Sequence, residues 1–285
     1  ETADLLVIGA GAGGLSVAAG ASQLGIKVVL LEGDKMGGDC LNYGCVPSKA
    51  LISSSSQKKP KQFREAMSFV KQAIKEIEPH DSEERFRSLG VNVIREYGRF
   101  VDVKTVAAGA YEIQSRRIVI ATGVHTPAPK ISGLSDVHYY TNQSIFDLEQ
   151  KPEHLLILGG GPVGVELAQA FTRLGIKVTV FEKQKILSNF NREQVKLLRS
   201  NLKHDEVNLK EEASIKDVSQ VGNKLTIQLE NSDKITGSHL LVATGKKPNL
   251  QNLNLQAAGI NFSDIGIETD QYLRTNNKKI YAIGD

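Results

Sequence analysis

Cys40 and Cys45 are the only cysteines in the chain, and they lie five residues apart in a glycine-rich segment. Pro47 favours the first turn of a helix, so Cys45 is predicted near a helix N-terminus, where the backbone dipole favours a thiolate. Two thiols in this arrangement can form and break a redox-active disulfide. A zinc site usually needs four ligands, and neither a histidine nor a third cysteine is close in sequence. A zinc site and an inert crosslink are the alternatives to a redox pair.

A glycine-rich turn follows the apolar run at residues 5–8. Its glycines, Gly9, Gly11 and Gly14, have the spacing G-x-G-x-x-G, and Glu32 follows about 20 residues later. In a strand–turn–helix unit, these glycines permit a tight turn, close approach of a pyrophosphate and close packing of helix on strand. The pyrophosphate then binds at the helix N-terminus, and Glu32 accepts hydrogen bonds from the ribose. The segment is predicted to bind a dinucleotide.

The same pattern recurs 150 residues further along the chain. Gly159, Gly161 and Gly164 follow a second apolar run, and Glu182 takes the place of Glu32. Each copy therefore satisfies the same test independently. Two dinucleotide folds in one chain suggest two cofactors that pass electrons to each other.

Length and composition narrow the class of protein. The 285 residues are enough for about two domains, and 40% hydrophobic residues with 26 glycines are ordinary for a globular protein. A net charge of +3 and the absence of tryptophan argue against a nucleic-acid partner. No segment has the roughly 20 apolar residues of a membrane span. Two cysteines without a disulfide framework predict a reducing, cytoplasmic compartment.

Strands and helices are predicted to alternate in each copy of the repeat. The predicted helices cover residues 15–24 and 165–174, with Gly25 and Gly175 as their caps, and the second strands cover 27–31 and 177–181. The fold class is therefore α/β, with two Rossmann-like dinucleotide-binding domains on parallel sheets. We expect the first domain over residues 1–150 and the second over 151–270.

Less regular segments lie between the two copies. Helices are predicted from about Ser48 and over residues 63–77. Asp81 and Glu84 have the spacing of a capping box at the start of a third helix. The run of serines and lysines over residues 53–61 is predicted to be a solvated loop.

The segment 37–49 resembles the active-site signature of the class I pyridine-nucleotide disulfide oxidoreductases, which include lipoamide dehydrogenase, glutathione reductase and mercuric reductase. The resemblance covers essentially the whole chain. It includes both glycine motifs, the Ala-Thr-Gly triplets at 121–123 and 243–245, and the segments 245–249 and 281–285. It implies that the first fold binds FAD and the second binds NAD(P)H.

The resemblance also implies roles for individual residues. Cys45 is expected to face the flavin as the charge-transfer thiol, and Cys40 to attack the substrate as the interchange thiol. Lys49, one helical turn beyond Cys45, is expected near the flavin ring and paired with Glu166. Asp285 is expected at the ribityl–pyrophosphate region, so residues from about 271 onward return to the FAD domain. The other implied cofactor contacts are Gly38, Thr122, Gly123 and Gly245.

Three departures from the family pattern stand out. Asp39 takes the place of a common threonine, and Lys246 that of a common arginine. The family continues beyond this C-terminus into a dimerisation domain that carries a His–Glu acid–base pair, and none of the six histidines here matches that pair. The resemblance therefore implies a homodimer in the full-length protein and a catalytic base outside this chain.

The combined interpretation is an FAD-dependent oxidoreductase. Electrons pass from NAD(P)H through flavin to a Cys40–Cys45 disulfide, and then to a disulfide or metal-ion substrate. An NAD(P)H oxidase or diaphorase is the alternative enzyme, and a redox-sensing flavoprotein module is the alternative of a different class. Glu182 predicts a preference for NADH, because a carboxylate there repels a 2′-phosphate, although Lys183 and Lys185 oppose this effect.

Overall fold

The computed structural model describes residues 1–56 and 60–285. In that part of the chain the α-helices are α1 (Ala12–Gln23), α2 (Gly38–Asn42), α3 (Cys45–Ser55), α4 (Phe63–Ile77), α5 (Glu83–Ser88), α6 (Pro162–Arg173) and α7 (Arg192–His204). The strands are β1 (Thr2–Ile8), β2 (Val28–Leu31), β3 (Asn92–Ile94), β4 (Arg99–Phe100), β5 (Thr105–Ala108), β6 (Tyr111–Ile120), β7 (Val124–His125), β8 (His154–Leu158), β9 (Lys177–Phe181), β10 (Asn208–Lys210), β11 (Ile215–Val221), β12 (Lys224–Leu229), β13 (Lys234–Gly237), β14 (His239–Val242), β15 (Lys247–Pro248), β16 (Phe262–Ser263), β17 (Gly266–Ile267) and β18 (Ile280–Ala282).

The chain forms two compact units, each assembled from segments that are separate in sequence. The first unit contains Glu1–Cys45, Ile74–His125 and Lys246–Asp285, and the second contains Val46–Ala73 and Thr126–Gly245. These borders differ from the predicted domains, which place residues 46–73 and 126–150 in the first domain and 246–270 in the second. The assignment of one cofactor to each domain stays a prediction.

A seven-stranded sheet forms the centre of the first unit. Its order is β3-β2-β1-β6-β5-β4, and β18 also pairs with β6. The pairs of β1 with β2 and β6, of β2 with β3, and of β6 with β18 are all parallel, whereas β4, β5 and β6 form an antiparallel meander. Ile8 is in register with both Leu31 and Ile120. The carboxyl ends of three parallel strands therefore meet at one edge, which is where open α/β sheets bind ligands.

Both faces of this sheet are buried. Leu6 and Ile8 pack with apolar residues of the segment 253–260 on one face, whereas Val7 packs with Leu15 of α1 and Phe86 of α5 on the other. A parallel strand covered on both faces needs a nearly continuous apolar run, which explains the sequence of β1. The packing of 253–260 also explains why that segment belongs to the first unit rather than the second.

The second unit repeats the parallel arrangement on a smaller scale. Its four-stranded sheet has the order β10-β9-β8-β14, and all three pairs are parallel. Helix α6 packs on β8 and β9. An antiparallel sheet, β11-β12-β13, contributes Val218 and Ile227 to a core shared with Leu156 and Leu240.

The predicted fold class and most predicted elements are confirmed. Helix α4 and strand β9 have the predicted bounds. Helices α1 and α6 begin at Ala12 and Pro162, three residues before the predicted starts, because each helix includes the last glycine of its motif. The C-cap residue after each helix is a leucine, Leu24 or Leu174, and the glycine that follows it, Gly25 or Gly175, has φ +75°.

Three local predictions are wrong. Asp81 belongs to the 3₁₀ helix Glu78–Asp81, and Ser82 caps α5 instead, accepting a hydrogen bond from the backbone N–H of Arg85 at 3.2 Å. Ser82 has the extended backbone that an N-cap needs, whereas Asp81 continues the preceding turn. Helix α3 begins at Cys45 rather than near Ser48. It also extends through Ser55, so the first serines of the predicted loop are helical, while Lys58 and Lys59 lie outside the described residues.

Replacing Gly14 by alanine is expected to destabilise the first unit. A Cβ at this position would collide with the carbonyl oxygen of Gly9 and lie 3.3 Å from Cγ1 of Val7. Overpacking of this kind costs about 1–3 kcal/mol. The free energy of unfolding from urea denaturation measures the loss.

Gly20 offers a matched control on the same helix. A Cβ there meets nothing within 4 Å, so Gly20→Ala should leave stability unchanged or raise it by up to about 1 kcal/mol. Equal unfolding free energies for the two variants would contradict the close packing at Gly14.

Candidate active site

The first glycine turn, which joins β1 to α1, is closed on one side and open on the other. Gly9 has φ +105°, and a Cβ there would collide with the carbonyl oxygen of Ala121. At Gly11, in contrast, the nearest atom to an added Cβ is the Cα of Gly38, at 3.9 Å. A pyrophosphate approaching the N-terminus of α1 would need this open side. The residues present therefore fit a dinucleotide.

The second glycine turn has the same geometry. Gly159 has φ +109° and lies against the backbone of Ala243, while an added Cβ at Gly161 meets nothing within 4 Å. Gly164 packs against the carbonyl of Gly159, as Gly14 does against Gly9. The second unit therefore fits a dinucleotide by the same criterion.

The two glutamates that are predicted to bind ribose also accept hydrogen bonds from the backbone of the two glycine turns. Glu32 accepts hydrogen bonds from the backbone N–H groups of Ala10, at 2.7 Å, and Asp34, at 2.8 Å. Glu182 accepts from Gly160 at 2.7 Å and Gln184 at 2.9 Å. Each carboxylate oxygen still has a lone pair available for a ribose hydroxyl. Each carboxylate can therefore hold the glycine turn and bind a ribose at the same time.

The cysteine segment contacts the first glycine turn through backbone alone. Gly37 donates its N–H to the carbonyl of Ala10 at 2.9 Å and forms a β-bridge with Gly11. Gly38 has φ +57°, and an added Cβ would lie 2.6 Å from the Cα of Gly11. Helix α2 therefore starts directly against the turn, and Cys40 lies two residues further on.

The two thiols have different surroundings. Cys40 is half-buried in α2, whereas Cys45 is exposed and is the first residue of α3, the helix end predicted for it. No S–S bond joins them in this structure, and their side chains are close enough to hydrogen-bond. Burial, the neighbouring Cys45 and, to a smaller extent, Asp81 raise the pKa of Cys40 from 9.0 to about 11. Cys40 therefore keeps its proton at neutral pH and needs a base in order to react.

Asn249 holds the Thr122–Gly123 turn, and sequence reasoning did not single it out. Its side-chain amide donates to the carbonyl of Thr122 at 2.9 Å, and its backbone N–H donates to that of Gly123 at 2.9 Å. Its side-chain oxygen lies 2.7 Å from Nδ1 of His125. The only signal in the sequence was its place in the segment 245–249.

The end of the chain pairs with β6, the strand that precedes the Thr122–Gly123 turn. Ile283 donates its N–H to the carbonyl of Ile120 at 2.9 Å, and its side chain is 3.3 Å from the position of a Cβ on Gly13. Asp285 follows, with its carboxylate 3.3 Å from Nζ of Lys246. Gly245, at φ +133°, directly precedes Lys246.

The second unit contains the predicted pair of Lys49 and Glu166. Nζ of Lys49, in α3, lies 2.6 Å from Oε1 of Glu166, in α6. Nζ also lies 3.3 Å from the hydroxyl of Ser48. The ion pair is present as expected, and its part in catalysis stays a prediction.

The described residues contain neither a candidate metal-binding cluster nor a candidate membrane-spanning helix. Over residues 1–56 and 60–285, no group of three or more His, Cys, Asp or Glu side chains is placed to hold a metal ion. No helix in that part of the chain is both long and apolar enough to cross a bilayer.

Comparison with known families decides the classification. The family model described as pyridine nucleotide-disulphide oxidoreductase matches residues 3–285. The chain belongs to this family. Its members use FAD and NAD(P)H.

Individual relatives are similar over almost the whole chain. A mercuric reductase of Staphylococcus aureus is 32% identical over 302 residues, covering 99% of this chain and 55% of that protein. A dihydrolipoyl dehydrogenase of Staphylococcus aureus is 31% identical over 308 residues, and the match covers 99% of this chain and 65% of the dehydrogenase. The chain therefore spans about half to two thirds of the curated relatives it matches.

A solved structure shares the fold. The Cu(II) complex of the HOCl-induced flavoprotein disulfide reductase RclA from Escherichia coli matches with a TM-score of 0.92 and 28% identity. The match covers 99% of this chain and 65% of that one. The Rossmann-like fold predicted from the two glycine motifs is thereby confirmed.

The pKa of Cys40 should fall when Cys45 is replaced by serine. This change removes the thiol that, after burial, most strongly raises it. The rate of Cys40 alkylation by iodoacetamide in reduced protein, followed by peptide mass spectrometry at pH values on both sides of 11, should have a midpoint near 11 in the parent chain. The midpoint should lie lower in Cys45→Ser.

Asp81→Asn should lower the same midpoint by a smaller amount, because the carboxylate also raises the pKa of Cys40. Glu84→Gln, in the nearby helix α5, is the control and should leave it unchanged. A midpoint of Cys40 that is the same in the parent and in Cys45→Ser would contradict the coupling between the thiols.

Proposed function

We propose that this chain is the cofactor-binding and thiol-bearing part of a flavoprotein disulfide reductase. The observation that carries the proposal is the backbone contact of Gly37 and Gly38 with the first glycine turn. This contact places the start of α2, the helix that contains Cys40, directly against a turn that fits a dinucleotide. A protein that merely binds a dinucleotide has no need of two thiols at that place.

The first unit has the residues that would hold FAD. The turn at Gly11 would take the pyrophosphate, Glu32 the adenosine ribose, and the Thr122–Gly123 turn and Asp285 the remaining contacts. The turn at Gly161 and the carboxylate of Glu182 would hold NAD(P)H in the same way. FAD, when bound, supplies the two-electron chemistry that links a nicotinamide to a disulfide.

The chain's own part of the reaction is thiol–disulfide exchange. The Cys40–Cys45 disulfide accepts two electrons and two protons, its S–S bond breaks, and two thiols form. Cys40, once a base has removed its proton, attacks one sulfur of the substrate disulfide and displaces the other as a thiol. Cys45 then attacks the sulfur of Cys40, which restores the Cys40–Cys45 disulfide and releases the second substrate thiol.

Other features of the proposal follow from the family. Lys49, held by Glu166, is proposed to act near the flavin, and the full-length protein is proposed to be a homodimer in the cytoplasm. The similar proteins named above include a mercuric reductase, so a metal ion is the second candidate acceptor besides a disulfide.

Anaerobic titration with NADH tests the function. Flavin absorbance and the number of thiols that react with a thiol reagent are followed together in the oxidised protein. We expect two new thiols for each flavin, because both electrons reach the cysteine pair. Both new thiols should be lost in Cys40→Ser and in Cys45→Ser, since neither variant can form the disulfide.

Flavin reduction without any new thiols would refute the proposal. That result would show an NAD(P)H oxidase or diaphorase, in which electrons leave the flavin for oxygen or a quinone. Glu193→Gln, at an exposed position at the start of α7, changes neither thiol, so it should still release two thiols for each flavin and serves as the control.

NADH should reduce the flavin faster than NADPH, on the order of tenfold in second-order rate constant, or about 1.4 kcal/mol. The carboxylate of Glu182 would pair with the 2′-hydroxyl of NADH and repel the 2′-phosphate of NADPH. Glu182→Gln keeps a similar shape without the charge and should narrow the difference. Stopped-flow measurement with both cofactors checks this.

Glu193→Gln, an exposed acid at the start of α7, is the matched control and should leave the ratio unchanged. Faster reduction by NADPH in the parent chain would show that Lys183 and Lys185 outweigh Glu182.

A further inference from the structure

Lys246 lies between two carboxylates of the first unit. Its Nζ is 3.5 Å from Oδ2 of Asp39 and 3.3 Å from Oδ2 of Asp285. The side chains of Lys246 and Asp39 are only 37% and 31% exposed, so water screens this pair less than a fully exposed one. Burial lowers the pKa of Lys246, but the carboxylates of Asp39 and Asp285 outweigh it and raise the pKa above its usual value. Lys246 is therefore a cation at neutral pH.

Asp39 lies across the turn that joins the two cysteines. It directly precedes Cys40, and its carbonyl accepts the N–H of Tyr43 at 2.8 Å. A Cβ on Gly44, the residue before Cys45, would lie 3.0 Å from the carbonyl oxygen of Asp39 and 3.4 Å from its Oδ2. The carboxylate of Asp39 is thus packed on the backbone between the two thiols.

We propose that Lys246 is a positioning residue for the cysteine pair: it holds the carboxylate of Asp39 across the Cys40–Cys45 turn, ties it to Asp285, and offsets the negative charge beside Cys40. The proposal deepens the proposed function and rests on it, because the charge near Cys40 matters for exchange only if Cys40 must lose a proton. The thiol of Cys45 and the carboxylate of Asp81 raise the pKa of Cys40, whereas a backbone hydrogen bond with Cys45 lowers it. In the proposal, the cation of Lys246 favours the thiolate by offsetting the charge of Asp39, the residue it contacts.

The test measures the pKa of Cys40 without requiring turnover. In a Cys45→Ser background Cys40 is the only thiol of the chain, and its alkylation rate by iodoacetamide is followed against pH in the purified holoprotein. Lys246→Met should raise the pKa of Cys40 by roughly half a unit, or about a threefold slower alkylation at neutral pH. Asp39→Asn should lower it, because the variant removes the carboxylate of the residue that directly precedes Cys40.

Three further variants separate the charge effect from loss of structure. Lys246→Arg keeps the cation and should retain the reference pKa. The double variant of Asp39→Asn with Lys246→Met should return close to the reference, because both charges are gone. Lys247→Met, the neighbouring exposed lysine, should change nothing.

Equal pKa values for Cys40 in the Lys246→Met and Lys247→Met variants would overturn the inference. The inference would also be overturned if Lys246→Met shifted the pKa of Cys40 by the same amount with and without Asp39→Asn. Because alkylation needs no electron transfer, these outcomes are independent of the NADH titration. If Lys246→Met does not shift the pKa of Cys40 but NADH still releases two thiols for each flavin, only the role of Lys246 is overturned. If the pKa shifts but NADH releases no thiols, the proposed function is overturned and the effect of Lys246 on Cys40 stands.

Discussion

The close approach of two glycines, Gly11 and Gly38, is the constraint on which the rest of the first unit depends. Gly38 can touch the Cα of Gly11 only because it has no Cβ and can adopt φ +57°. The backbone contact fixes the start of α2, and α2 fixes Cys40. A side chain at Gly38 would push the helix of Cys40 away from the glycine turn, so a thiol next to a dinucleotide site depends on a residue that has no side chain.

The two glutamates show how a binding residue can also be structural. Glu32 and Glu182 each bridge the glycine turn and the loop after the second strand with the same pair of backbone hydrogen bonds. A carboxylate suits this role because each of its oxygens accepts more than one hydrogen bond. The ribose site proposed at each glutamate would be preformed by the contacts that close the turn, and removing the glutamate would alter both the turn and the site.

Features set by neighbours in sequence could be predicted, whereas contacts between distant segments could not. The glycine spacing and apolar runs gave β1, α1 and β2 and their repeats, because those patterns are local. The choice of Ser82 over Asp81 as a helix cap depended on the backbone of the preceding 3₁₀ helix. Asn249 contacts Thr122 across 127 residues, and no local pattern marks that pair. Lys49 and Glu166, 117 residues apart, were paired only through the family resemblance.

The two thiols have unequal surroundings, and Cys40 is the one whose pKa is raised. With a pKa near 11, Cys40 carries its proton at pH 7, so partial exposure alone does not make it reactive. Burial is the largest cause of the raised pKa, and Cys40 is half-buried in α2 beside the buried Leu41. A thiol that keeps its proton is a weaker nucleophile than a thiolate. In the proposed exchange reaction, a base would therefore have to remove the proton from Cys40 before Cys40 attacks a substrate.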